Sequence, residues 1–187
     1  MTQSRPPKPQ DNCFKIFQHA THFHESDHRL RNSVPQDGPD QWPLVAHPSM
    51  VLSVFASELY LKSLLCLETG KVPRTHNLKA LFRDLSPAAR RRIEELWDAY
   101  AVHPDRQKTW AAIRAKPGGH ELRTDLAYAL DVGADAFREL RYIYEEGGSK
   151  FLLHDFHNLV RQVILERMPW WGSIRPAPIT TADTGGS

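Results

Sequence analysis

Proline placement constrains this chain more than any other feature. Its fourteen prolines are unevenly spread, and none falls within 10–34, 49–72 or 118–168. A proline inside a helix removes a hydrogen bond and clashes with the preceding turn, at a cost of about 3 kcal/mol. The three proline-free windows are therefore where long helices fit. Leu and Ala greatly outnumber Val and Ile, which also favours helix over strand. No internal repeat and no sustained period-2 alternation is present. The expected fold is all-α, an antiparallel bundle of four or five helices joined by short connections.

The first window predicts a helix over Asn12 to Asn32, with Phe14, Phe17, Phe23 and Leu30 as a loose apolar stripe. Ser33 to Pro48 reads as a loop, punctuated by Pro35, Gly38, Pro39, Pro43 and Pro48. Ser49 to Thr69 is apolar on nearly every face, as expected of a helix buried in the middle of a bundle, and Gly70 stops it. A short helix follows from about Leu78. Ser86-Pro87 is a cap followed by proline at the first helical position, opening a helix to Val102. Trp110, Ala111 and Ile113 suggest a further short piece. A long helix is expected from Glu121 to Glu146, and a last one from Phe151 to Glu166. The domain reading is a tail over 1–11, one helical domain over 12–168 and a second tail over 169–187, with Trp170 and Trp171 as a packing or dimer anchor.

Charge narrows the function classes. The 24 Lys and Arg against 22 Asp and Glu give a net charge of +2, and no segment is strongly basic. A broad nucleic-acid footprint is thus not indicated, while a small local site is compatible with the sequence. An apolar fraction of 41% is that of a globular chain rather than a disordered one. No uninterrupted apolar run approaches the roughly 20 residues of a membrane span. The polar, proline-rich start shows no secretory signal. Cys13 and Cys66 have no metal spacing and read as reduced thiols of a cytoplasmic protein.

One region is more specific. Glu58, Leu59 and Lys62 form an E-L-x-x-K pattern on the apolar helix, followed by Gly70, a turn, and Thr75, His76, Leu78 and Leu81. Further on, Arg141-Tyr142 lies in a helical stretch. Together these resemble the HEPN family of bacterial helical domains, over roughly residues 45–165. The resemblance implies a commonly dimeric, cytoplasmic bundle linked to RNA cleavage, toxin–antitoxin pairs and defence. Many members are metal-independent ribonucleases that use an Arg, four to six residues, then His. The imidazole moves a proton at neutral pH, the guanidinium holds phosphate, and the RNA 2′-hydroxyl serves as nucleophile. Here Arg141 has no His at that distance, because His154 lies thirteen positions on. The pair at the right spacing is Arg114 and His120, around Pro117-Gly118-Gly119.

The site expectations follow. Arg114 and His120 are the candidate catalytic pair, and Glu58, Lys62, His76 and Arg141 the candidate RNA or nucleotide site, with a buried network that fixes helix register as the alternative for this second group. No cofactor or metal is expected. His19, His22, His24 and His28 cluster on the first helix, but a zinc site needs further ligands. Arg90-Arg91-Arg92 reads as a solvated face paired with Glu94 and Glu95. His154, His157 and Arg161 lie on one helix, at an edge or facing a groove. The expected activity is binding or cleavage of RNA or nucleotides by a homodimer, with an antitoxin or nucleotidyltransferase as partner. The alternative is a non-catalytic dimerisation or interaction module.

Overall fold

A computed structural model describes residues 8–33, 42–115, 123–136, 140 and 152–173. It is all-α, with no strand among the described residues. The helices are α1 (Lys8–Asn32), α2 (Trp42–Thr69), α3 (Leu78–Arg83), α4 (Pro87–Ala101), α5 (Pro104–Arg114), α6 (Leu126–Val132) and α7 (Phe156–Arg167), followed by a 3₁₀ turn at Pro169–Ser173. Helix α2 is the central element. Helix α1 lies along it, α7 packs beside it, α3 joins it to α6, and α4 closes over α7.

The core follows from side-chain chemistry. Tyr60, Leu61 and Leu64 of α2 meet Leu78 and Leu81 of α3, Ile93 and Trp97 of α4, and Phe156, Val160 and Ile164 of α7 in one buried cluster. Capping sets several helix starts. Asn77 accepts from Ala80 N at 2.8 Å, Ser86 from Ala89 N at 3.2 Å, and Asp125 from Tyr128 N at 2.9 Å. Gly70 ends α2 with φ +71°, a left-handed conformation suited to glycine, and its N–H reaches Cys66 O at 2.8 Å. Glu68 then ties three elements together. It accepts from Ser86 N at 2.8 Å, Ser86 Oγ at 2.6 Å and Arg167 Nη1 at 2.7 Å.

Several element boundaries differ from expectation. Helix α1 begins at Lys8 rather than Asn12, so part of the expected tail is helical. Helix α2 begins at Trp42, inside the expected loop, and keeps Pro48 within it. Pro48 forfeits a single backbone donor near the helix start, and the following 21 residues of apolar packing outweigh that loss. The expected helix over 121–146 is interrupted. Asp125 starts α6, and Gly133 ends it where a Cβ would stand 2.7 Å from Leu153 Cδ1. Helix α7 starts at Phe156, after a turn at His154-Asp155. Beyond it Trp171 is fully buried, its ring 5.1 Å from those of Phe14 and Phe17, while Trp170 stays 40% exposed.

The expectation of two reduced thiols is corrected. Cys13 and Cys66 form a disulfide, with Cα atoms 5.4 Å apart and both residues buried. A separation of 53 residues carries no hint of that proximity, which arises only when α1 lies along α2. By length and composition, Val45–Thr69 is apolar enough to cross a membrane, yet most of it is buried within the bundle.

Candidate functional site

Two polar assemblies interrupt the apolar bundle. The first is the one expected from the sequence. Glu58 and Lys62 lie one turn apart on α2, and Lys62 Nζ sits 2.8 Å from Glu58 Oε1. The turn after Gly70 brings His76 to the same carboxylate oxygen, with Nδ1 at 3.0 Å. Glu58 and Lys62 are nearly sealed, whereas the His76 side chain is 63% exposed. The three residues therefore run from the interior to the surface. Glu58 Oε2 is buried with no hydrogen-bond partner among the described residues. On the same connecting segment Lys71 and Arg74 are exposed, and neither makes an ion pair among the described residues.

Of the other expected site residues, Arg114 is the exposed last residue of α5. His120 and Arg141 lie outside the described residues.

The second assembly lies where α1, α2, α5 and α7 meet, and most of it went unrecognised in the sequence. Ser49 and Ser53 stack one turn apart on the face of α2 toward α7, both fully buried. Ser49 donates its only hydroxyl proton to Asp27 Oδ1, so His154 Nε2, 2.8 Å away, is the donor to Ser49. Ser53 donates to the His154 carbonyl and accepts from His157 Nδ1 at 3.1 Å. His157 Nε2 is then a bare acceptor, buried and without a partner among the described residues. The His24 ring stands edge-on to it, centroids 4.7 Å apart. Asp27 is closed on its other oxygen by Arg31 Nη2 at 2.8 Å.

Asp155 is the second acid of this assembly. It accepts from Arg31 at 3.0 Å, from Tyr100 Oη at 2.9 Å and from Arg106. Burial opposes its charge, but His154, Arg106 and Arg31 outweigh burial and hold the carboxyl at about 2. The imidazoles behave oppositely. Burial pushes His157 down to about 3, with His24, Arg31 and His154 adding to the effect against Asp155. Burial also lowers His154 and His24. Three neutral histidines thus share the interior with two carboxylates, each ion-paired to arginine, although Asp27 Oδ2 has no hydrogen-bond partner among the described residues.

Order matters in this arrangement. Ser49 stands between Asp27 and His154, whereas a nucleophilic triad needs the imidazole between acid and hydroxyl. Both serines spend their protons on other acceptors. The network is built to hold α1, α2 and α7 in register rather than to activate a hydroxyl. Among the described residues no three His, Cys, Asp or Glu side chains converge to hold a metal ion. His19 and His22 stack on each other, and His28 contacts Asn32. Arg92 pairs with Glu95 at 3.2 Å and with Glu166 at 2.7 Å, so the basic run is partly committed to acids.

The missed residues had a faint signature. Ser49, Ser53 and Ser57 recur every fourth position in an otherwise apolar helix, and His154-Asp155 precedes His157 at the start of another. No family model, curated protein or solved structure matches the chain.

Proposed function

We propose that this chain is a HEPN-like helical protein that binds RNA or nucleotides through the edge formed by Lys62, Lys71, Arg74 and His76, and cleaves RNA without metal through Arg114 and His120. The observation that carries this reading is the exposed, unpaired Lys71 and Arg74 on the segment that also delivers His76 to Glu58. Such cations take phosphate oxygens and position a strand without reading its bases. The edge is small and local, in keeping with a net charge of only +2. Glu58 fixes both Lys62 and His76, which presents the imidazole at a set place on the rim. Arg114 and His120 remain the candidate cleavage pair, Arg141 a candidate RNA or nucleotide ligand, and a homodimer the expected assembly, in a toxin–antitoxin or defence setting.

A second reading is a non-catalytic interaction module that partners another protein such as a nucleotidyltransferase or an antitoxin. The internal neutralisation of Lys62 by Glu58 favours it, because that lysine has little charge left to offer a ligand. Incubation with RNA in EDTA separates the two readings. The nuclease reading expects binding and cleavage that Arg114→Ala and His120→Ala abolish. The module reading expects neither, together with co-purification of a second protein.

A further inference from the structure

Helix α7 carries a guanidinium that its surroundings leave largely uncommitted. Arg161 is half-buried, and its positive charge acts on the nearby Tyr60 hydroxyl of α2. Thr21 spends its proton on Phe17 O at 2.9 Å, so Tyr60 donates to Thr21 at 3.2 Å and can accept from His24 Nδ1 at 3.5 Å. No carboxylate or carbonyl accepts a hydrogen bond from Arg161 among the described residues. Arg31, Arg106 and Arg167 are each closed by a carboxylate, whereas Arg161 makes no ion pair among the described residues.

A shallow, open groove of about 460 Å³ runs along this face of α7, lined by Asn158, Arg161, Gln162, Leu165 and Glu166. Its size falls within the roughly 300–1,000 Å³ usual for small-molecule sites. Glu166, the acid of the lining, is committed elsewhere. Arg92 takes both its oxygens, at 2.7 and 3.0 Å, and Gln162 donates to it at 3.2 Å. On the α1 side stands His24, kept neutral by burial and by Arg161 against the pull of Glu25 and Asp27. Beside His24 lies the unpartnered Nε2 of His157. The lining therefore offers a cation with no ion pair among the described residues, the Asn158 amide, a Gln162 amide that already donates to Glu166, and the apolar Leu165, with the Glu25 carboxylate near His24 and Tyr60.

We propose that this groove is a binding site for a phosphomonoester of mononucleotide size. Arg161 takes the phosphate through its planar fork, Asn158 and Gln162 hydrogen-bond the phosphate or sugar, and Leu165 supplies the apolar wall. The site goes beyond the RNA-binding edge near His76 and does not depend on it. RNA turnover without AMP binding removes the groove alone, and AMP binding without RNA turnover removes the nuclease reading alone.

The test is titration of the full chain with AMP, inorganic phosphate and adenosine, followed by calorimetry and by NMR of the His24 and Tyr60 rings. AMP binds and perturbs both rings, phosphate binds more weakly at the same place, and adenosine does not bind. Arg161→Gln weakens AMP by at least about tenfold (about 1.4 kcal/mol). Asn158→Asp, at an exposed position that folding tolerates, sets a carboxylate one turn from Arg161 and weakens AMP as well. Three results each overturn the proposal. They are no AMP binding at millimolar concentration, equal binding of adenosine, or AMP affinity unchanged in Asn158→Asp.

Discussion

Lys62 Nζ lies 2.8 Å from Glu58 Oε1, one turn earlier on α2, with both side chains almost wholly inside the bundle. Breaking such a pair from one side costs far more than replacing both partners, because the survivor is left charged and buried. Glu58→Ala is expected to destabilise the fold by about 3–5 kcal/mol. The double variant Glu58→Leu, Lys62→Met recovers most of that loss. Urea unfolding of the single variant and the double variant measures the difference directly.

Asp155 is the structural counterpart at the other assembly. Its carboxylate satisfies Arg31, Arg106 and Tyr100 at once, so Asp155→Ala strands two guanidinium groups and a hydroxyl. The expected loss is again about 3–5 kcal/mol. Asp155→Asn keeps the shape but not the charge and falls between wild type and Asp155→Ala. Thermal melts at fixed pH rank the three proteins.

Acid should unfold this protein earlier than its carboxylates alone require. Unfolded, the imidazoles of His24, His154 and His157 take protons near 6.5. Folded, all three resist protonation, and His157 does so down to about 3. Below 6.5 the unfolded state therefore binds more protons, and stability falls as pH falls. Their contribution is complete above about 6.5 and is lost progressively below it, for His157 down to about 3, by up to about 1.4 kcal/mol per pH unit for each histidine while it stays neutral in the fold. Asp155 adds its own loss between 3.8 and about 2. Denaturant midpoints measured from pH 8 to pH 4 should decline steadily from near 6.5. A flat profile down to pH 5 would contradict the neutral-histidine interior.

The Cys13–Cys66 bond closes a 53-residue span between α1 and α2. Loop-closure entropy puts its contribution near 4 kcal/mol as an upper figure. Cys13→Ser should lower the melting temperature, and reduction of the wild type should do the same. Mass spectrometry after alkylation without reductant should find neither thiol labelled.

The all-α fold was legible because proline gaps and an Ala/Leu excess act locally. So were the starts of α3 and α4, where Asn77 and Ser86 supply their own caps. Glu58, Lys62 and His76 could be grouped because helical spacing and one turn bring them together. What escaped depends on packing between elements distant in sequence. Ser49 meets His154 across 105 residues, Arg31 meets Asp155 across 124, and the disulfide forms across 53. No local spacing encodes those meetings. Gly133 was passed over as a break because its role, making room for Leu153, is likewise set by a distant residue.

The central claim concerns the edge around His76, and RNA binding in EDTA with salt variation tests it most directly. The account predicts metal-independent binding of single-stranded RNA. Affinity should fall with salt, by a slope of about 0.7 per phosphate contacted. Arg74→Ala and Lys71→Ala should each weaken binding and reduce that slope by about one contact, and His76→Ala should weaken binding as well. Absence of RNA binding at low salt, or binding and slope unaltered in the Lys71, Arg74 and His76 variants, would contradict it.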